Sequence, residues 1–532
     1  MFVFPKRVFC CIFISITLIS MLMKNFRKTE IVLHYDPRVL SCLLIFVLVL
    51  IYGIMISRMV NSVETAAVLI PWLLLFLCLH VSGWEIQAEV VFFRIAALVS
   101  LAACCYGILQ NLGFDWFPVD FPDYLTEKRI FSTLGNKNFL SSFLSMNLFT
   151  FFYLKGRWKM LIIIPLCSIS WWLCREAMLM AVIELTAAPF FFGFYDKKRL
   201  AGIALFFLIL WSGILSYRYG QARQLQTPVQ EGRYTTSYQQ RLLIWESGFE
   251  MLKQHPFGVG LSNFRNFYFV FQGKLASRNR AFAPYVCNAE YAHNEYLQAL
   301  CEFGVIPGLL LIICLLYPGY LLWIRGSPLF LPVAALAAAA ILSFPIHLPA
   351  TGAYFLIYAG LGLSSQSREF RLNLNPQLKL LAAILIFYLS FLILFQTTQL
   401  VSGIYLKKAL AGEEKCFRKA YNCFPGDERL NYEIGMYFMQ RSRFREAIPF
   451  FSYSARLSYE PSRIFELGLA YYQLGEKKIA EINFSRVLEL DPYHYYAHQY
   501  LGSIMEEAGD SEGAAREFGF CGEIIREKLW RF

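Results

Sequence analysis

The chain has 532 residues, of which 57% are hydrophobic and only 16% charged, with a formal net charge of +11. Soluble domains carry about 25% charged residues. Together with a mean hydropathy of +0.45, this excludes a soluble enzyme, a disordered chain and a secreted disulfide scaffold. The 14 cysteines do not alter that reading, because Cys42, Cys78, Cys104, Cys105 and Cys314 sit inside apolar runs and no CxxC pair occurs. In such runs the thiol behaves as a small hydrophobe. What is left is a polytopic membrane protein.

Apolar runs long enough to cross a bilayer, roughly 17–25 residues, recur along the chain. They lie near 39–57, 65–84, 90–110, 139–154, 160–174, 177–194, 200–217, 303–323, 328–345, 348–365 and 380–399. A shorter run at 8–23, behind Lys6 and Arg7, is either a further span or a signal-like segment without a small-residue cleavage site. The expectation is an all-α bundle of eleven or twelve spans. Its spans occupy 1–217 and 303–401, separated by a large loop over 218–302. Placing that loop outside puts fourteen Lys and Arg in the inner loops and seven in the short outer segments. That is the bias of the positive-inside rule, and it leaves the tail 402–532 outside as well. The tail holds 18 Lys and Arg against 19 Asp and Glu. The excess positive charge therefore belongs to the membrane part, scattered among spans, so nucleic acid is not an expected partner.

The tail is an array of repeats. Gly435, Gly468 and Gly502 recur at spacings of 33 and 34 residues, each followed by an alanine after twelve (Ala447, Ala480, Ala514) and a phenylalanine after sixteen (Phe451, Phe484, Phe518). Pro461 and Pro492 close the first two units, and a degenerate earlier unit includes Phe417, Ala420 and Pro425. This resembles the tetratricopeptide pattern, in which small residues let two antiparallel helices approach and the phenylalanine fills the seam. Such α-solenoids present binding surfaces for peptides or other domains.

Chemistry is concentrated in and around the large loop. Between Arg218 and Glu290 it carries nine Lys and Arg against four Asp and Glu, a positive surface suited to an anionic ligand. Arg241-Leu-Leu-Ile-Trp245 leads to His255-Pro-Phe-Gly258-Val-Gly260-Leu-Ser-Asn263, then to His293-Asn294-Glu-Tyr-Leu-Gln298 and Glu302-Phe-Gly304. Earlier stand Thr133-Leu-Gly135-Asn136-Lys-Asn138 and Cys174-Arg175-Glu-Ala177. In this order the segments resemble the O-antigen ligase/polymerase family of bacterial membrane glycosyltransferases, over about residues 30–400. The family's motifs are G-x-x-N-x-N, S-R-G-A, R-x-x-x-W, H-P-x-x-G-x-G and H-N-x-x-L-x-x-x-x-E-x-G. This chain departs from them with Cys174 for serine and Glu176 for glycine.

The resemblance implies a GT-C type enzyme that takes a glycan from a polyprenyl (undecaprenyl) diphosphate and passes it to an acceptor hydroxyl. The reaction would take place on the periplasmic side of the cytoplasmic (inner) membrane, with no metal ion and no cofactor. Ligase is the first reading, polysaccharide polymerase the second and protein O-oligosaccharyltransferase the third. The acceptor is accordingly a lipid, a glycan or a protein, and the repeat tail suits a protein partner. A glycan flippase or a membrane scaffold is the non-enzymatic alternative.

In that setting Arg175 and Arg241 are the candidates for the diphosphate, since a planar guanidinium holds phosphate oxygens in a fork and stays charged. His293 is the candidate to take the hydroxyl proton. Each has a plainer alternative. Arg175 could snorkel at the interface, Arg241 could pair with Glu246 or Glu250 along its helix, and His293 could cap the helix starting near Asn294. Asn136, Asn138 and Asn294 could bind sugar or cap helices. Gly258 and Gly260 serve turns, or bring backbone close to phosphate.

Overall fold

The computed structural model describes residues 3–26, 28–57, 60–82, 86–111, 137–147, 150, 231–364 and 368–527. Helices α1 (Val3–Phe26), α2 (Pro37–Ile56), α3 (Val60–Val81), α4 (Ile86–Asn111) and α5 (Lys137–Met146) come first. The loop segment contains α6 (Glu231–Gln254), α7 (Phe264–Arg278), a 3-10 turn (Arg280–Tyr285) and α8 (Glu295–Phe303). The membrane part resumes with α9 (Val305–Ile324), α10 (Phe330–Ala339), α11 (Pro349–Ser364) and α12 (Pro376–Leu410). The tail follows as α13 (Lys415–Cys423), α14 (Glu428–Met439), α15 (Phe444–Leu457), α16 (Pro461–Gln473), α17 (Lys477–Leu490), α18 (Tyr495–Glu507) and α19 (Ser511–Arg526).

Among the described residues, α2, Val90–Gln110 of α4, α9 and α12 are long and apolar enough to cross a membrane, and shorter apolar helices accompany them. Leu44, Leu48 and Met55 on α2, and Leu380, Phe387 and Leu394 on α12, point outward and are exposed. Rows of large apolar side chains on the outside fit hydrocarbon, not water. The runs expected at 328–345 and 348–365 form helices of 10 and 16 residues, because Pro345 and Pro349 interrupt the chain between them. The spans expected over 160–174, 177–194 and 200–217, and Arg175 and Asn136 with them, lie outside the described residues.

The bundle has two distinct ends. At one, Glu30–Tyr35 pairs antiparallel with Arg368–Asn373, Leu33 facing Phe370 and His34 facing Glu369. Sequence reading expected polar inner loops in these two places, and the ribbon joins them. Asp36 caps α2 there by accepting the Arg38 N–H ahead of Pro37, and its carboxylate also receives the Arg38 and Arg325 guanidinium groups. Asn375 and Pro376 open α12 in the same way. The 20 residues of α2 carry the chain about 30 Å to the opposite end, where Ser57 meets the loop segment. Asn263 Nδ2 donates to Ser57 Oγ at 2.9 Å.

The tail is the expected stack of helix pairs. Phe451, Phe484 and Phe518 lie directly against Gly435, Gly468 and Gly502, so close that a Cβ on each glycine would sit 2.6, 2.9 and 2.7 Å from the ring. Phe451 and Phe484 are fully buried, which favours the folded tail by roughly 1.5–3 kcal/mol for each ring. The degenerate unit is built from α13 and the end of the last span: Leu406, Ala409, Phe417 and Ala420 share a core. Helix α12 is thus at once span and repeat helix, 35 residues or about 50 Å long.

The repeats do not stand apart from the loop. Met251, Phe264, Tyr268 and Phe271 belong to the same core as Phe484, Val487, Leu501 and Ile504. Helix α7 lies along the junctions between repeats. Arg265 pairs with Glu428 at 2.9 Å, and Arg280 with Glu523 at 2.9 Å and Glu527 at 2.8 Å. Asn288 donates to Glu460 at 2.8 Å, and Tyr493 Oη donates to the Ala276 carbonyl at 3.3 Å.

Candidate functional site

The loop motifs interlock at the Ser57 end of the bundle. Helix α8 begins after Asn294, whose side chain accepts the N–H groups of Tyr296 and Leu297, both at 3.0 Å. The asparagine is therefore the cap, and its oxygen is committed to that role. His293 precedes it at φ 50°, a conformation seldom adopted by side chains with a Cβ. Two bonds hold the backbone just before it. Trp245 Nε1 donates to the Ala292 carbonyl at 3.0 Å, and Gln298 Oε1 accepts the Ala292 N–H at 3.1 Å.

The glycine segment packs on the far end of α8. Val259 and Gly260 donate to the carbonyls of Cys301 and Glu302 at 3.0 and 2.8 Å. Glu302 Oε2 accepts the Ser262 N–H at 2.9 Å while its Oε1 accepts Gln298 Nε2 at 3.1 Å. Burial raises the Glu302 carboxyl above its ordinary range, opposed in part by the Ser262 bond. Gly258 and Gly260 adopt φ 88° and 94°. A Cβ on Gly258 would meet the Glu302 carbonyl at 2.5 Å, and one on Gly260 would meet Ser57 at 2.6 Å. Both glycines serve close backbone packing. His255 lies edge-on to Phe267 and Phe271 as a packing residue. Asn138 falls in the first turn of α5.

Arg241 and His293 come together, although 52 positions separate them. Arg241 reaches out from α6 to donate to the Leu342 carbonyl at 2.9 Å, while Glu250 is taken by Lys253 at 2.7 Å. Burial, and then the nearby charge of Arg241, push the His293 imidazole down to about 4. It is neutral at physiological pH.

A second imidazole, unanticipated from the sequence, adjoins the first. His347 Nδ1 lies 2.7 Å from Glu295 Oε2, and Glu295 Oε1 accepts the backbone N–H groups of Ile346 and His347 at 2.9 and 3.3 Å. Tyr291 stacks on Phe344 at 4.6 Å and touches His347 at 4.9 Å, while Phe344 meets His293 at 5.0 Å. The available signal was a histidine between two prolines, Pro345-Ile-His347-Leu-Pro349, at the break between two apolar runs.

Beside this cluster opens an apolar cavity of about 200 Å³. It runs between α2, α3, α9 and α11, from Leu261 and His347 at the loop end to Val39 and Leu321 towards the ribbon end. Phe46, Leu69, Trp72, Phe76 and Phe355 line its length. Of this cluster His347 lines the cavity, and the ring pair Tyr291–Phe344 connects it to His293. A guanidinium and imidazoles near an apolar channel suit a ligand with an anionic head and a hydrocarbon tail.

Residues 160–313 match the family model described as O-antigen ligase. The matched residues lie within the stretch whose motifs resemble that family. No curated protein matches the chain. Among solved structures, the chain is similar to "MamA MSR-1 C2", at 20% identity over 25% of this chain and 78% of that one, with a TM-score of 0.23. It is also similar to "MamA 41-end from Desulfovibrio magneticus RS-1", at 20% identity over 25% and 75% of the two chains, with a TM-score of 0.21.

Proposed function

We propose that this membrane protein transfers a glycan from a polyprenyl diphosphate carrier to an acceptor hydroxyl at the loop end of its bundle, that end facing the periplasm. The carrying observation is the meeting of Arg241 and His293, joined through the Phe344–Tyr291 pair to His347, which lines the apolar cavity. The reading is further supported by the O-antigen ligase match over 160–313.

The cavity would receive the polyprenyl chain. Arg241, with Arg175, would hold the diphosphate, whose charge grows as the glycosidic bond breaks; fixed donors aimed at developing charge are the strongest single contribution to such a step. His293 would act at the reacting oxygen atoms beside Arg241. Attack opposite the diphosphate inverts the anomeric carbon, and the chemistry proposed needs no metal ion. Residues 1–217 and 303–401 would supply the membrane framework, 218–302 the catalytic loop and 402–532 an extracytoplasmic repeat domain. Transfer to a lipid acceptor, ligase-like, is preferred over polymerisation and over transfer to protein. Any protein partner of the tail would use surfaces other than the junctions that α7 occupies.

The test is purified protein in lipid vesicles with a polyprenyl diphosphate-linked repeat unit and a chelator present, wild type beside His293→Ala. Product appearing only with an added lipid acceptor, and only from wild type, is the expected result. A ladder of lengthening glycans without that acceptor assigns a polymerase. Donor that stays intact with lipid, glycan and protein acceptors alike overturns the reading.

A further inference from the structure

Resting on the glycan-transfer reading, we propose that His347, held by Glu295, is the group that takes the proton from the attacking hydroxyl, while His293 works beside Arg241 on the leaving-group side. Glu295 is only 5% exposed. Its carboxylate fixes the His347 backbone and lies against the ring nitrogen Nδ1. A buried carboxylate is costly without a cation at hand, and an imidazolium at His347 supplies one. With the Glu295 carboxylate 2.7 Å from Nδ1, Nε2 is the nitrogen assigned to the hydroxyl, and the nearby negative charge favours the protonated product. The His347 side chain is 33% exposed and lines the cavity, whereas His293 has a guanidinium for its neighbour.

The two imidazoles lie on either side of the Tyr291–Phe344 ring pair with opposite electrostatic surroundings. The reaction makes two opposite demands. The diphosphate oxygen gains negative charge and needs cations; the hydroxyl loses a proton and needs a base backed by an anion. The hydroxyl oxygen bonds to the anomeric carbon, and the bond from that carbon to the diphosphate oxygen breaks, its electron pair leaving on the diphosphate. The proton passes to Nε2 of His347, giving an imidazolium paired with Glu295. Among the described residues, titratable groups set against His347 include Glu295 and Glu302 from α8 and Tyr291 from the segment before it.

The experiment has two arms. In the first, diethyl pyrocarbonate acylation of His347 is followed by peptide mass spectrometry across pH in wild type and Glu295→Gln, with no substrate needed. The pH at which His347 becomes reactive is expected to be higher in wild type. Equal values in the two proteins overturn the pairing. In the second arm, transfer from a polyprenyl diphosphate-linked donor is measured against pH. The acidic limb is expected to move to lower pH in Glu295→Gln and to stay in place in His293→Gln. In His347→Gln the rate is expected to fall by about 10²–10⁴. A limb that moves only in His293→Gln assigns the proton to His293 and overturns the proposal. Wild type that leaves donor intact overturns the transfer reading and the catalytic part of this one, while the first arm still decides the pairing. Should His347→Gln fail to fold, the near-isosteric Glu295→Gln carries both arms.

Discussion

Trp245 donates its indole N–H to the Ala292 carbonyl across 3.0 Å, and through that bond helix α6 shares with Gln298 the placing of His293. Arg241 lies one turn earlier on the same helix, so the R-x-x-x-W spacing sets both groups from a single rigid element. Trp245→Phe retains the ring's packing and removes the donor. It is expected to cost about 1 kcal/mol in thermal unfolding. Glycan transfer should fall by more than that loss of stability accounts for, since His293 is released from its φ of 50°. Transfer unchanged from wild type would separate α6 from the site.

Gly260→Ala places a Cβ 2.6 Å from Ser57 in a backbone at φ 94°. The atoms it would meet are the Cβ, Cα and backbone nitrogen of Ser57 at the end of a span and cannot retreat, so the substitution is expected to destabilise the protein by roughly 1–3 kcal/mol. Thermal unfolding in lipid nanodiscs reads this directly. A Tm equal to that of wild type would show that the segment does not pack against α2.

Acid should weaken the fold through His293. Its imidazole is pushed from 6.5 to about 4 in the folded protein, so below pH 6.5 the unfolded chain binds the proton first. The stability it contributes is complete above the unfolded value and is lost as pH falls towards 4, by roughly 3 kcal/mol in full. His293→Asn should therefore lose less stability than wild type between pH 7 and pH 4. Parallel acid-unfolding curves for the two proteins would contradict the burial of this ring beside Arg241.

Docking of the tail on the loop rests on packing more than on charge. The Arg280 pairs with Glu523 and Glu527 are half exposed, and such pairs contribute at most about 1 kcal/mol. Arg280→Ala should leave the tail in place. Gly273→Leu should not, because a Cβ there would stand 2.1 Å from the Glu489 carbonyl. Hydrogen exchange is expected to quicken in α7 and at the end of α17 in Gly273→Leu only, with transfer activity falling alongside. Equal exchange in the two variants would mean that α7 and the repeats hold together without this close approach.

Periodicity and local chemistry belong to the chain itself. The apolar runs and the glycine–phenylalanine columns of the tail could both be read in sequence. Each depends on neighbours within one helix or one repeat. The motif residues Arg241, Trp245, His293 and Glu302 were legible through the resemblance of their segments to a known family, although their partners were not. Only the tertiary structure joined Glu30–Tyr35 to Arg368–Asn373, because backbone pairing across more than 330 positions leaves no local pattern. The structure chose the cap over sugar binding for the Asn294 oxygen, and only packing laid the repeat junctions along α7. His347 beside Glu295 completes the contrast. A histidine in an apolar stretch acquires its chemistry from the carboxylate that folding brings to it, and that carboxylate sits 52 residues away.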